Sequence, residues 1–391
     1  MRSPLEPTSE LETIFELENV PVFCNVLYDD VEAARSATRG TLRLGLCTAT
    51  GFVFNQAFDP SLVAYSPIYE NSQVFSPRFA AYQESLASAL ADGLTDHDLV
   101  VEVGCGQADF LRELVRHGPF RAVGFDRSLT GSTSEPTEGG GTLDLRNEFL
   151  DTASCTLAPK LVINRHVLEH VEDPLALLRG FRELIAKNPA GRLYLEVPNA
   201  EHSFRGGIWD LIYEHCGYFT EASLLEALGR AGFEVLELRR AFDEQFLCAI
   251  ARPRTTDAAL VFADKTSVEV AITAARALDS VFAATLQSAN DTLDRELGTS
   301  HATKRVVIQG AGSKGVMLLN VLDRGSEILA AVDKNPRKTN RYIAGTGHVI
   351  VAPSALPELH PDVVLVANPA YLTEVERECR ALGVDARVVA I

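Results

Sequence analysis

Twice along the chain an apolar run ends on a glycine turn and opens into a segment with helical periodicity. The first is VVEVGCGQADFLRELV, residues 100–115, and the second is VVIQGAGSKGVMLLNVL, residues 306–322. Each is followed by a second apolar run that ends on an acid, VGFD at Asp126 and AAVD at Asp333. A strand–turn–helix–strand string of this kind builds an open parallel sheet, which binds ligands outside the carboxyl ends of its strands.

The alternation persists around both turns. After Asp126 come KLVINRHVLEHV, the amphipathic DPLALLRGFRELIA, GRLYLEVPN, TEASLLEALGRAGFEVLELRR and FLCAIARP, which closes the unit near residue 254. After Asp333 come PDVVLVANPAY, YLTEVERECRALG and ARVVAI. Strands alternating with helices of this length predict two mostly parallel sheets covered on both faces. Residues 266–297 form a long helical segment that bridges the two units, and its apolar heptad is not sustained enough for a coiled coil. Residues 1–80 read as irregular, with short β-like runs at TLRLGLC and GFVFNQAF. The expected divisions are 1–80, 81–255, 256–300 and 301–391.

Net charge excludes one class of partner. At −17, with no Lys/Arg cluster, the chain lacks the basic face of a nucleic-acid binder. No apolar run is long enough to span a bilayer, and the acidic segment 1–20 lacks the apolar core of a secretory signal. Seven scattered cysteines fit reduced thiols, and a cytoplasmic location is expected.

The first turn departs from the dinucleotide pattern. Counting Gly104, Gly106 and onward puts Asp109 where a third small residue would let a helix approach a pyrophosphate. An acid there suits a ligand ending in a zwitterionic amino acid. The pattern E-x-G-C-G followed by Asp126 resembles the class I S-adenosylmethionine-dependent methyltransferases. That resemblance implies a cofactor site of Glu102, Gly104, Gly106 and Asp126, with Asp126 on the ribose hydroxyls. NRHVLEHVEDPLALLRGF resembles the same enzymes and implies Arg165 and His166 at the pocket rim. His170 stays open between a functional group and a cap or packing residue.

The second turn fits G-x-G-x-x-G at Gly310, Gly312 and Gly315, and alone it would suggest a nicotinamide dinucleotide. Lys314 within the turn, DKNPRKTNRYIAGT after it and PDVVLVANPAYLTEV further on instead resemble the C-terminal domain of sugar C-methyltransferases. These enzymes methylate a ring carbon of a nucleotide-linked keto-sugar. The resemblance implies a Rossmann-like domain that helps hold the nucleotide-sugar, with Lys314, Asn335, Arg337 and Lys338 as diphosphate contacts. A solvated basic loop is the alternative for each.

The family's N-terminal segment carries two Cys-x-x-Cys pairs on one structural zinc. Here Cys24 and Cys47 remain, but Leu27 and Thr50 stand where the second cysteines would be. Two thiolates are too few for such a site, so no metal is expected. YSPIYENSQVFSPRF resembles the family segment that crosses the active site, which implies Tyr69 facing substrate and Glu70, Asn71 and Ser72 lining the pocket. An aromatic plug is the alternative for Tyr69.

WDLIYEH, residues 209–215, matches an aromatic-Asp-x-Ile-Tyr-x-Glu-His run of the family with one residue missing between Tyr213 and Glu214. Trp209, Ile212 and Phe219 are expected to pack. Tyr213, Glu214 and His215 are the expected catalytic group together with Tyr69. A carbon beside a ketone must lose a proton before it attacks a methyl sulfonium, and histidine is a suitable base at neutral pH.

The expected fold is thus α/β: a class I methyltransferase doubly wound sheet, a second Rossmann-like C-terminal αβ domain and a small irregular N-terminal domain. The expected cofactor is S-adenosyl-L-methionine. The expected reaction is C-methylation of a nucleotide-linked deoxysugar through a His-generated enolate, in secondary metabolism such as antibiotic biosynthesis. The alternatives are an O- or N-methyltransferase of another small metabolite, a nicotinamide-dependent oxidoreductase using the Gly310 turn, and a non-catalytic partner protein.

Overall fold

The computed structural model describes residues 2–63, 69–255, 262–298 and 304–391. Residues 65–68 of the YSPIYENSQVFSPRF segment, 256–261 and 299–300 of the bridge, and 301–303 of the C-terminal unit lie outside them.

The N-terminal region is more regular than its sequence suggested. β1 (Leu11–Pro21), β2 (Arg39–Cys47) and β3 (Val53–Asn55) form an antiparallel sheet, completed by β10 (Gly217–Tyr218) from far along the chain. Register shifts between Thr13 and Phe15 and between Leu17 and Val20 break the two-residue alternation of β1, so its pattern is blurred in the sequence.

The central sheet has eight strands: β4 (Leu99–Val103), β5 (Arg121–Phe125), β6 (Thr133–Pro136), β7 (Thr142–Arg146), β8 (Leu161–Arg165), β9 (Arg192–Pro198), β11 (Phe233–Ala241) and β12 (Phe246–Pro253). Their order is β11-β12-β9-β8-β4-β5-β7-β6. β7, β5, β4, β8 and β9 run parallel, while β12 and β6 are antiparallel to their neighbours. The chain winds outward from β4 through β5, then returns at β8. The switch point therefore lies between β4 and β8, where a ligand crevice belongs.

Local chemistry starts the covering helices. Asp173 accepts the Ala176 N–H and Pro174 opens helix Pro174–Ile185, while Thr220 and Ser223 form a capping box on helix Glu221–Arg230.

The C-terminal sheet is all parallel, in the order β15-β14-β13-β16-β17: β13 (Val306–Gln309), β14 (Ala331–Val332), β15 (Ile350–Val351), β16 (Val363–Val366) and β17 (Arg387–Ala390). The expected single helix over 266–297 is two, Lys265–Arg276 and Leu278–Leu297, joined at Ala277. Phe282 of the second meets Phe15 of β1 with ring centroids 4.8 Å apart. The N-terminal sheet, the 200–218 segment, these helices and the C-terminal sheet share one apolar core that includes Phe15, Leu42, Trp209, Phe282, Leu293 and Ile308. Each fully buried side chain of that size contributes about 1.5–3 kcal/mol, so the end domains are fixed to one another by burial. All seven cysteines are free thiols. Among the described residues no helix is long and apolar enough to cross a membrane.

Candidate functional site

The first glycine turn follows β4 at the switch point. Gly104 and Gly106 both have positive φ, 76° and 54°, a region that side chains rarely adopt. Asp126, at the end of β5, accepts hydrogen bonds from Gly106 N and Ser128 N at 2.7 Å each. Both its oxygens keep lone pairs for a further donor such as a ribose hydroxyl. Asn71 passes over the turn, its Oδ1 3.9 Å from where a Cβ on Gly106 would stand, and Ser72 Oγ donates to Asp109 Oδ2 at 2.5 Å. Asp109 is thus tied to the crossing segment.

Beneath this edge lies a buried charge network. Glu196 Oε1 accepts both Nε (3.1 Å) and an Nη (2.9 Å) of Arg165, and its Oε2 accepts the hydroxyls of Tyr82 (2.5 Å) and Tyr194 (2.8 Å). Burial alone would raise the Glu196 carboxyl, but Arg165, His166 and Tyr82 hold it well below the usual range. Arg165 also stacks over Phe110, 4.2 Å from the ring centroid. It is a buried counter-ion under the site rather than a rim residue. Glu102 is buried too, with Oε2 lacking a hydrogen-bond partner, and burial pushes its carboxyl up to about 8. His166 does reach the rim. It holds a left-handed φ of 52°, an uncommon conformation for a non-glycine residue, at the end of β8, with Nε2 2.9 Å from Glu196 Oε1.

A cavity of about 230 Å³ runs from His166, Asn71 and Ser72 toward the C-terminal sheet, and Gly104, Gly106 and Asp126 do not line it. On one side stand Tyr69, Asn71, Ser72, His166, Glu169, His170 and His215, and on the other Gly310, Gly312, Lys314, Lys334, Lys338 and Asn368. The two sides are latched together. Lys314 forms an ion pair with Asp210, Asn368 and Gln245 exchange hydrogen bonds at 3.0 and 3.3 Å, and Glu374 accepts from Lys334 Nζ at 2.7 Å and from Ser76 Oγ at 2.9 Å.

The three residues expected to act together part company. Tyr213 faces away from the cavity: its hydroxyl accepts the Asp59 N–H at 2.9 Å, and its ring stacks on Phe58 and fills the space above Gly40. The phenol is spent on the N-terminal sheet. Glu214 is fully buried, and its Oε2 accepts the Cys24 N–H at 2.9 Å. Burial raises its carboxyl to about 7, against the Cys24 and Tyr69 hydrogen bonds that lower it. His215 alone of the three lines the cavity, its ring 4.9 Å from that of His170. Burial, reinforced by His170, Lys314 and His166, keeps its imidazole neutral. His170, left open by the sequence, also lines the cavity. Its Nδ1 hydrogen-bonds the Glu214 carbonyl at 2.9 Å, and burial lowers it to about 4.

The proposed diphosphate set also divides. Lys314 and Lys338 line the cavity, whereas Asn335 and Arg337 grip Glu70 at 2.9 and 3.1 Å. Glu70 is thereby a domain tie and does not line the cavity, although Asn71 and Ser72 do. Lys334, one residue before the predicted pair, takes the cavity position. Asp333 accepts the Ala311 and Asn335 N–H groups at 2.8 and 2.9 Å and so holds the second turn closed. Cys24 and Cys47 sit in different apolar clusters. Glu169, Asp210 and Lys334 also line the cavity. Glu169 carried a signal in its place beside His170 just past a strand end, and Asp210 in being the acid of the WDLIYEH run.

A family model described as a methyltransferase domain matches residues 74–238, and one described as a C-methyltransferase C-terminal domain matches residues 267–387. The second spans the Gly310 turn. No curated protein matches the chain significantly. Solved structures with a related fold include the S-adenosylhomocysteine-bound form of CalO1, a methyltransferase in calicheamicin biosynthesis. It is 18% identical, with a TM-score of 0.35, over 45% of this chain and 54% of that one, so the match spans about half of CalO1. Another is an S-adenosylmethionine-dependent methyltransferase from Mesorhizobium loti, 17% identical with a TM-score of 0.32, over 44% of this chain and 97% of that one. Likenesses this remote carry no argument about activity.

Proposed function

We propose that this chain, which matches a methyltransferase domain and a C-methyltransferase C-terminal domain, is an S-adenosylmethionine-dependent enzyme that methylates a carbon beside the ketone of a nucleotide-linked sugar. One observation carries the reading. A single cavity, with neutral imidazoles of His170 and His215 on its wall, runs from Asn71, which crosses the first glycine turn, and His166 at the end of β8 to a lysine-bearing turn of the second sheet. That arrangement suits an acceptor with a reactive sugar at one end and an anionic diphosphate at the other.

Gly104, Gly106 and Asp126 would hold the cofactor, with Asn71 and His166 at its rim. Bound there, S-adenosylmethionine supplies an electrophilic methyl group. His215 takes the proton from the acceptor carbon as general base, since its neutral ring faces the cavity. The Tyr69 hydroxyl accepts from Asn25 Nδ2 at 3.3 Å and stands on the same wall, where its single O–H would turn from Glu214 to the developing enolate oxygen. Lys314, Lys334 and Lys338 face the diphosphate, beside the first turn of helix Ser313–Val321.

The test is to incubate the protein with S-adenosylmethionine and a panel of nucleoside-diphosphate keto-sugars, then locate the added methyl by NMR. A new C–CH3 next to the carbonyl supports the reading. Methyl on oxygen or nitrogen would establish the alternative acceptor class, for which His215 could serve equally as base.

A further inference from the structure

Glu169, His170 and His215 present one ligand atom each, all within 4.8 Å of one another, in the wall of the cavity. Three features set the cluster apart from an ordinary polar patch. Glu169 is only 1% exposed, its Oε2 has no hydrogen-bond partner, and its Oε1 stands 4.0 Å from His170 Nε2, so a buried carboxyl group adjoins the imidazoles with one oxygen unpartnered. His170 donates Nδ1–H to the Glu214 carbonyl, and its Nε2 stands 4.0 Å from Glu169 Oε1. The His215 ring lies near the Asp210 backbone carbonyl, which favours its protonated form. An imidazole whose outer N–H is tied to a backbone carbonyl, as in His170, is the orienting arrangement found around protein-bound metals.

We propose that Glu169, His170 and His215 form a binding site for a zinc-class divalent cation, open toward the cavity. Two imidazoles and one carboxylate match the ligand set of open zinc sites, and the cavity supplies the remaining position. Ligand atoms around a tetrahedral ion with bonds of about 2.1 Å stand roughly 3.4 Å apart. Side-chain adjustments of about an ångström would gather them. Lys314, the neighbouring cationic group, already has a counter-charge in Asp210, and His166 Nε2 stands 2.9 Å from Glu196 Oε1. A cation here occupies the nitrogen that proton abstraction needs. It therefore silences transfer rather than assisting it, a consequence that rests on His215 being the base.

Co2+ titration of the purified full chain tests the site without knowledge of the acceptor. The expected result is one equivalent bound with a visible d–d spectrum, displaced by Zn2+, with affinity falling at least about tenfold in Glu169→Gln and in His170→Ala. S-Adenosylhomocysteine binding by both variants is measured alongside and serves as the check that they are folded. Failure to bind Co2+, a thiolate charge-transfer spectrum reporting ligation by cysteine, or affinity unchanged in Glu169→Gln would overturn the proposal. Each of those results leaves the methyltransferase reading standing. Inhibition by Zn2+ that a chelator reverses, once an acceptor is known, supports the silencing, whereas activation by Zn2+ would overturn it.

Discussion

The carboxylate of Glu214 accepts the backbone N–H of Cys24 at 2.9 Å, across 190 positions of sequence. The segment that resembles a zinc-binding one thus reaches the wall of the cavity through a buried hydrogen bond. Removing the carboxylate leaves that N–H without a partner, which costs about 1–3 kcal/mol. Glu214→Ala is expected to lower the urea-unfolding free energy by that amount, and Glu214→Gln, which keeps an acceptor oxygen, by clearly less. Equal stability of both variants and the parent chain would break the link.

Tyr213 makes the opposite prediction to the one its sequence position suggests. Its hydroxyl serves Asp59 N, outside the cavity, so Tyr213→Phe removes a structural hydrogen bond worth about 0.5–1.5 kcal/mol. Thermal unfolding is expected to shift down while S-adenosylhomocysteine affinity stays constant. Altered cofactor affinity at unchanged stability would put the phenol back at the site.

Glu102 gives a pH dependence with a definite sign. Its folded pKa of about 8 exceeds the unfolded value of roughly 4.3, because burial outweighs the attraction of Arg165 while Asp126, Glu196 and Asp109 add repulsion. The folded state holds the proton more tightly, so this contribution is complete below about pH 4.3 and is lost as pH rises to about 8. Glu102→Gln is expected to gain stability relative to the parent chain from pH 6 to pH 9 in parallel denaturation curves. A constant difference across that range would show that the carboxyl ionises normally.

The lysines of the second turn are expected to recognise an anion. Lys334→Met and Lys314→Met should each weaken binding of nucleoside diphosphates by several-fold in calorimetry, with a salt dependence less steep than that of the parent chain. Arg337→Met, which loses the bond to Glu70 and the guanidinium contact over the Phe75 ring, should leave that affinity nearly intact while lowering stability. The reverse pattern would favour the originally expected pair, Asn335 and Arg337, over Lys334.

What could be read from the sequence followed how local the determining physics is. Gly104, Gly106 and Asp126 were legible because a tight turn needs glycine and a strand end fixes the acid beside it. Helix starts at Asp173 and Thr220 were legible for the same reason. Side-chain direction was not. Tyr213, Glu214 and His215 are consecutive, yet they point to the N-terminal sheet, a buried amide and the cavity, because the 208–218 segment packs between two domains. Lys334 and Asn335 exchanged roles by a single position, since the strand end at Val332 sets which residue faces inward. β1 was missed because its bulges break the alternation that marks a strand.

The central claim is a cofactor lodged at the β4–β5 edge, and isothermal titration with S-adenosylhomocysteine measures it directly. The account predicts one site per chain, with affinity lost by about tenfold or more in Asp126→Ala and less in Asp126→Asn, whose single amide oxygen can still accept one of the two N–H groups, Gly106 or Ser128, that the carboxylate holds on separate oxygens. Absence of binding, or binding indifferent to both substitutions, would contradict it.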